Sequence, residues 1–396
     1  MIEIQGRFNT AKVFADTLDE KARGQLSRVC DAEHFSQCKI RVMPDVHAGV
    51  GCVIGFTMAL KDKVVPNMVG VDIGCGMYLC QLQEKEIDYA MLDSAIRSKV
   101  PSGNTNHKKP IEEAERFNFE NLRCFEGINV NNAKHCLGTL GGGNHFIEVD
   151  RDSDGTLYLV IHTGSRNLGA GVAEFYQKRG YQVLSQKLEE KYNVLLESAK
   201  SEEEREKILR EKEEEKASVL PHEAYVEVQL FEDYIHDMKI TQEFADLNRK
   251  IIANRLIDAL GLHVAESFTT THNYIDMDEM VLRKGAVSAK KGEKLLIPIN
   301  MRDGGLLCIG KGNEDWNNSA PHGAGRLMTR SKAKETISLE DYQKAMEGIY
   351  STCISTGTLD ESPMAYKNKG EIVKNIAPTA EIFKEIKPVY NFKSAK

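Results

Sequence analysis

Six short segments, most of them glycine-rich, each set a metal-capable side chain at what reads as a strand-to-loop junction. They are MPDVHAGVG (Asp45, His47), VGVDIGCGM (Asp72, Cys75), GGGNHFIEV (Asn144, His145, Glu148), IHTGSRN (His162, Arg166), TTTHNY (His272) and SAPHGAGRLMTR (His322, Arg326). They are spread over most of a 396-residue chain with no internal repeat between them. No linker rich in proline, glycine or serine separates two halves. This pattern predicts one large mixed α/β (α+β) domain over residues 1–396, with β-sheets surrounded by helices.

Residues 1–82 read as short strands punctuated by glycine and proline, as in KIRVMPDVHAG and GVGCVIGFTMAL. IDYAMLDSAIRSKV and IEEAERFNFENLR read as helices, the first from Ile87, Met91, Ala95 and Ile96. TLYLVIHTGSRNLG reads as a strand ending in a loop. Beyond it, Tyr181, Leu184, Leu188, Tyr192, Leu195 and Ala199 recur at three- and four-residue steps, giving one apolar stripe. With the charged run that follows, residues 178–220 are expected to form a helical-hairpin insertion serving as a solvated structural arm rather than an RNA contact. HEAYVEVQLFEDYIHDMKITQEFADLNRKIIANRLIDAL returns as helix. Short strands then alternate with loops, and ISLEDYQKAMEGIYSTC and PTAEIFKEI are read as closing helices.

The glycines at 70, 74 and 76 permit the tight turn that would bring Asp72 and Cys75 together. Histidines at strand ends supply neutral imidazoles, the commonest metal ligands. Asp72, Cys75, His145, His162 and His272 are too many donors for one closed tetrahedral zinc, and fit two neighbouring ions that share a ligand. Carboxylate, imidazole and a single thiolate suit Mn²⁺ and Zn²⁺ alike, so ligand type does not choose between them. The competing reading is that the glycines are turn punctuation and the histidines ordinary structural residues. That second reading is preferred for His34, His107, His222, His236 and His263, which lie outside such segments.

His322 differs, because Gly-Ala-Gly-Arg follows it. Its backbone neighbours can approach phosphates, Arg326 supplies a fork suited to phosphate oxygens, and a neutral imidazole could attack an α-phosphate to give a phosphoramidate. The lysine nucleotidylation motif Lys-x-Asp-Gly is absent. Gly305 to Lys311 comes near a Walker A loop, but Gly312 stands where Ser or Thr would bind Mg²⁺, so that reading is set aside.

A net charge of −7 does not favour nucleic acid, but eight glutamates fall within residues 201–216 alone, so global charge is a poor guide. Nine cysteines without paired spacing argue against a disulfide framework and for a reducing compartment. No apolar stretch is long enough to span a membrane, and MIEIQGRFNTAKVFADTLDE lacks the apolar core of a secretory signal. A cytoplasmic location is expected.

PDVHAGVG, GVDIGCGM, GGGNHFIEV, HTGSR, THN and HGAGR, in this order and with SPMAYK at 362–367, resemble the RtcB family of RNA ligases. The resemblance implies a fold of the family's own and a reaction joining RNA 2′,3′-cyclic phosphate or 3′-phosphate ends to 5′-hydroxyl ends. It implies two Mn²⁺ ions on Asp72, Cys75, His145, His162 and His272, with Cys75 bridging, and GTP as the nucleotide. His322 is then the guanylylated nucleophile and Asp45 assists it. Nucleotide contacts are implied for Asn144, His145, Phe146, Ile147, Glu148, His272, Asn273, Gly323, Ala324, Gly325 and Lys393. They are also implied for Pro298, Asn300, Met301 and Gly305, which lie in or beside the 298–304 segment. That segment reads Pro-Ile-Asn-Met-Arg-Asp-Gly where the best-known members have Pro-Gly-Ser-Met-Gly, so individual contacts there do not carry over.

The leading expectation is therefore an RNA repair or tRNA-splicing ligase. A second is a 3′-phosphate-capping nucleotidyltransferase or cyclic phosphodiesterase of the same fold. A third, from another class, is a metal-stabilised RNA-binding accessory protein, which would have no need of a nucleophile. Arg166, Arg326, Arg330 and Lys332 are candidate RNA phosphate contacts. The sequence leaves open whether an activating protein takes part.

Overall fold

The computed structural model describes residues 1–394. Strands β1 (Ile2–Gln5) and β2 (Thr10–Val13) form a hairpin, and helix α1 (Glu20–Cys30) follows, capped by the Asp19 carboxylate on the Ala22 N–H. The sequence reading of residues 1–82 as strands alone misses this helix. Strand β3 (Lys39–His47) lies parallel to β2 and antiparallel to β4 (Ile54–Ala59). After β5 (Lys63–Val64), the single turn α2 (Pro66–Val69) leads into β6 (Gly76–Leu82). Helices α3 (Tyr89–Lys99), α4 (Glu112–Arg116) and α5 (Val130–Cys136) precede the hairpin of β7 (Phe146–Arg151) and β8 (Leu157–Thr163).

Only two residues separate β8 from helix α6 (Arg166–Ser198), without the loop the sequence suggests. Helix α7 (Glu202–Ser218) folds back on it through Lys191–Glu215 at 2.5 Å and Tyr192–Glu215 at 2.7 Å. No residue of α7 is buried, and its exposed ion pairs add little stability. After β9 (Val226–Glu227), helix α8 (Val228–Leu260) recrosses the body and ends on Gly261 in the left-handed region. Then come β10 (Val264–Thr271), β11 (Asn273–Asp276), β12 (Val281–Lys284), β13 (Ala286–Ser288), β14 (Lys294–Asn300), β15 (Gly304–Gly310) and β16 (Ser319–Pro321). Helices α9 (Arg330–Thr336), α10 (Leu339–Ala345) and α11 (Lys369–Ile376) precede β17 (Ala380–Lys393).

These strands make a six-stranded sheet, β1-β2-β3-β4-β12-β11, a seven-stranded sheet, β10-β6-β8-β7-β17-β15-β14, and two strand pairs, β13-β16 and β5-β9. The larger sheet curls until its edges approach each other. The Leu296 N–H of β14 reaches the Thr270 hydroxyl of β10 at 3.3 Å, and Lys294 pairs with Glu266. Met77, Leu79, Phe146, Tyr158, Val160, Phe268, Leu296, Leu307 and Ile386, drawn from all seven strands, fill the inside of the curl. On the outside, Ile147, Val149, Leu157, Leu159 and Ile161 pack on Leu92 and Ile96 of α3 and on Ile252 and Leu256 of α8. Leu295, Ile297 and Leu306 pack on Ile372 and Ile376 of α11. Burying both faces explains why LYLVIHT reads as a nearly unbroken apolar run. Each such side chain contributes about 1.5–3 kcal/mol.

PTAEIFKEI, read from sequence as helix, is the first part of β17. Ala380, Ile382, Lys384 and Ile386 alternate in burial with exposed Glu381, Phe383 and Glu385. The strand pairs with β15 on one side and β7 on the other, so the two ladders together override local helix propensity. IEEAERFNFENLR likewise yields only the five-residue α4 before a 3-10 turn. All nine cysteines are free. Among the described residues no helix is long and apolar enough to cross a membrane.

Candidate metal centre and its histidine neighbour

The turn carrying Asp72 and Cys75 follows α2 through Gly70 (φ 103°) and closes with the Cys75 N–H on the Asp72 carbonyl at 3.1 Å. Gly74 lies against α8, where a Cβ would stand 2.9 Å from the Ala245 methyl, so the close approach requires glycine. His272 follows β10, and its N–H donates to the Cys75 carbonyl at 2.9 Å. His162 is on β8, opposite Met77 of β6 and Phe146 of β7, which sets its ring at the mouth of the curled sheet. His145 immediately precedes β7.

Five side chains from four segments thereby converge. His145 Nε2 is 3.0 Å from Asp72 Oδ2 and 3.5 Å from Cys75 Sγ, and His162 Nε2 is 3.5 Å from the same sulfur. The potential ligand atoms of Asp72, Cys75 and His145 lie within 4.8 Å of one another, as do those of Cys75, His162 and His272, and Cys75 is common to both groups.

The donor chemistry fits a cation. His145 Nδ1 is 2.9 Å from the Leu140 carbonyl and His162 Nδ1 is 3.2 Å from that of Asn144, so in the neutral rings both Nδ1 protons point away from the cluster. Two bare Nε2 atoms and a carboxylate then face one sulfur. Buried His272 leaves Nδ1 without a hydrogen-bond partner. Burial, reinforced by neighbouring histidines, holds His162 and His272 well below the usual imidazole range, so both are neutral. Burial, and then the Asp72 carboxylate, push the Cys75 thiol well above its usual range.

His322 adjoins this cluster, its ring centroid 4.9 Å from that of His272. Its Nδ1 is 2.7 Å from Asp45 Oδ2, and its N–H donates to the same oxygen at 3.2 Å. Asp45 is fully buried, with Oδ1 unpartnered. Gly325 (φ 77°) wraps the His322 loop onto the Asp45 backbone, where a Cβ would stand 2.4 Å from the Asp45 carbonyl oxygen. Lys367 clamps the pair, donating from Nζ to the Pro44 and Val46 carbonyls at 3.1 and 3.3 Å and from its N–H to Gly325 at 3.0 Å.

The other residues singled out from sequence divide. Lys393 Nζ lies 3.4 Å from the Asn144 carbonyl and 5.1 Å from the Phe146 ring centroid, at the same mouth. Glu148 points inside the curl, bonded to Asn391 of β17. Asn273 braces the centre by bonding the Asp72 carbonyl and the Gly285 N–H at 3.3 and 3.0 Å. The Pro298 carbonyl lies 3.3 Å from where a Cβ on Gly323 would stand, so the 298–304 segment abuts the His322 loop.

Several side chains do not face the site. Ile147 packs outward with α3 and α8, because strand alternation turns it away from Phe146 and Glu148. Met301 is buried with Tyr342, Met346 and Leu359, and Ala324 belongs to the core beneath β14 and β15. Asn300 closes its own turn, accepting from the Arg302 and Asp303 N–H groups at 3.0 and 2.9 Å. Gly305 pairs with Pro298 and Ile386 in the sheet.

Of the candidate phosphate contacts, Arg326 bonds the Asp360 carbonyl and Tyr366 hydroxyl, and Arg330 pairs with Asp360 at 2.7 Å and Glu361 at 2.5 Å. Arg166 lies beside Gly141, with Nε on the Thr139 hydroxyl at 3.3 Å. Lys332 is exposed on α9. His34, His107, His236 and His263 make local contacts elsewhere.

Sequence reasoning missed Lys367, Glu361, Asn248 and Arg249. Buried Glu361 receives Lys393 at 2.6 Å, Arg330 and the Tyr366 hydroxyl at 2.8 Å. Only SPMAYK, which contains Lys367, carried any signal.

The profile of the family described as tRNA-splicing ligase RtcB matches residues 25–123 and 103–394. The chain is 30% identical over 393 aligned positions to the RNA-splicing ligase RtcB of Escherichia coli (strain K12), covering 88% of each chain. It is 26% identical over 426 positions to the tRNA-splicing ligase RtcB of Aeropyrum pernix, covering 84% of this chain and 83% of that one.

Proposed function

The chain belongs to the RtcB family, and on that premise we propose that it is a GTP-dependent RNA ligase of RNA repair or tRNA splicing. It would join 2′,3′-cyclic phosphate or 3′-phosphate ends to 5′-hydroxyl ends through a GMP–His322 intermediate. We place this activity in the cytoplasm. The observation that carries the reading is the Asp45–His322 hydrogen bond of 2.7 Å beside the Asp72–Cys75–His145–His162–His272 cluster.

Asp45 holds the Nδ1 proton of His322, which leaves Nε2 as a lone pair and offsets the positive charge the ring acquires on attack. Nε2 bonds to the α-phosphorus of GTP while the α–β bridging bond breaks and pyrophosphate leaves. An oxygen of the RNA 3′-phosphate then attacks the same phosphorus, the N–P bond breaks, and GMP caps the RNA end. The 5′-hydroxyl next attacks the RNA 3′-phosphorus, loses its proton, and GMP departs. A cyclic end must first take up water to expose the 3′-phosphate. Divalent ions on the two groups sharing Cys75, manganese by family resemblance, would supply Lewis-acid charge to the phosphate oxygens. Lys393, set beside Asn144 and Phe146, contributes positive charge at the nucleotide.

The test is incubation with labelled GTP or ATP and Mn²⁺, then denaturing electrophoresis of the wild type and His322→Ala. Acid-labile label from GTP that vanishes in the variant is expected, followed by joining of an RNA pair with the stated ends. Label without joining would make the protein a capping nucleotidyltransferase. No label from either nucleotide would overturn the reading.

A further inference from the structure

Four of the five cluster residues are carried by three segments remote in sequence: 72–76, 138–145 and 162–164. The strand ladders pair Gly76 with Thr163 and Phe146 with His162, but stop short of residues 72–74 and 138–145. One turn of α8 ties those stretches down. Arg249, 1% exposed, donates from one guanidinium nitrogen to the Gly74 carbonyl at 2.7 Å and to the Thr163 carbonyl at 3.0 Å. It thus joins the segment of Asp72 and Cys75 to that of His162. Asn248, fully buried, accepts at Oδ1 from the Gly138 and Thr139 N–H groups at 2.7 and 3.1 Å. Its Nδ2 donates to the Thr139 and Gly164 carbonyls at 3.1 and 3.2 Å. That joins the His145 segment to the His162 segment.

Both residues act through groups close to potential ligands. Thr163 Oγ1, 3.5 Å from Asn248 Nδ2, donates to the Leu140 carbonyl at 2.8 Å, the oxygen that also takes the His145 Nδ1 proton. The fifth residue, His272, hangs from the Cys75 carbonyl. The same stretch of α8 presents Gln242 and Ala245 to Gly74.

We propose that Asn248 and Arg249 are positioning residues whose adjacent side chains gather the three ligand-bearing segments and set the separation between the two halves of the metal centre. This rests on the metal reading above. Neither residue lies in a glycine-rich segment, and neither touches the reacting atoms. Loss of such outer partners weakens metal binding by about 10–100-fold in known sites.

The experiment compares Arg249→Lys, Asn248→Ser and a control, Asp237→Asn, in the full-length protein. Asp237 is fully buried on the same helix, but it accepts from the Arg123 and Cys124 N–H groups and the Tyr176 hydroxyl, none of which carries a ligand. The readouts are the Mn²⁺ dissociation constant by calorimetry, the thiolate-to-metal absorption band on titration with Co²⁺, and the Tm of metal-free protein. Arg249→Lys and Asn248→Ser are expected to weaken Mn²⁺ binding about 10–100-fold and to shift the cobalt band. Asp237→Asn should leave both within twofold even where its Tm falls as far. Arg249→Lys keeps the charge; should it fail to fold, Asn248→Ser decides. Unchanged affinity and spectrum in the folded variants would overturn the proposal, as would losses in all three variants that merely follow Tm. A wild type that binds neither ion would overturn the metal reading as well, whereas unchanged variants of a metal-binding wild type overturn this proposal alone.

Discussion

Asp45 Oδ2 lies 2.7 Å from Nδ1 of His322 and 3.2 Å from the N–H of the same residue. One oxygen therefore fixes both the tilt of the ring and the nitrogen that keeps the proton. Asparagine with its oxygen in that position keeps both bonds but loses the negative charge that offsets the ring's positive charge on attack. Asp45→Asn is expected to lower nucleotidyl transfer to His322 by about 10³–10⁴-fold, with Tm little changed. Labelling within tenfold of the wild type would show that the Asp45 charge does not assist the attack.

Because Cys75 is common to both ligand groups, its loss should be felt by both, whereas the loss of Asp72 should be felt by one. After dialysis against Mn²⁺ and metal analysis, Cys75→Ala is expected to retain well under one ion per chain and Asp72→Asn about one. Equal losses in the two variants would mean that the groups do not act as separate sites.

Glu148 and Asp150 are buried carboxyl groups in contact inside the curl. Burial raises Glu148 to about 7, and burial with the adjacent Glu148 raises Asp150 further above the usual range. A carboxyl raised in the folded state stabilises it below the unfolded value, and that contribution fades as pH rises through the folded value. Asp150→Asn keeps a donor toward Glu148 and removes the second charge. Its Tm relative to the wild type should therefore be higher at pH 8 than at pH 5, by roughly 2 °C or more. A pH-independent difference would rule out shared protonation.

Glu361 is the opposite case. Burial would raise it, but Lys393 and Arg330 outweigh that and bring it to about 2. A depressed carboxylate stabilises the fold above its unfolded value, near 4.5, and that contribution is lost as pH falls toward 2. Glu361→Gln leaves the buried Lys393 ammonium without its carboxylate and should cost on the order of 3 kcal/mol at pH 7. Thermal melts at pH 7 and pH 3 should show the gap to the wild type narrowing at the lower pH; a constant gap would contradict the assignment.

The cluster residues were legible because each falls in a short, distinctive segment at a strand end. Their partnership was not: His145 and His162 become neighbours only because Phe146 pairs opposite His162, a register no spacing reveals. Reading 144–148 as one block hides the strand alternation that turns the Ile147 side chain outward. PTAEIFKEI misled because so short a stretch fits either periodicity and its two ladders are non-local. Asn248 and Arg249 were invisible because polar residues in a long amphipathic pattern read as its wet face, yet both are buried.

Strand β17 lies between β7, more than 200 residues earlier in sequence, and β15. During synthesis, β6, β7 and β8 can pair as soon as they emerge, and β14 can pair with β15, but the two groups remain separate until residues 380–393 are inserted between them. Closure of the curl is thus a late, high-contact-order event, and until then β7 and β15 each expose an unpaired edge. The same insertion brings Lys393 to the mouth beside Asn144, so the finished site and the shielding of those sticky edges arrive in a single folding step.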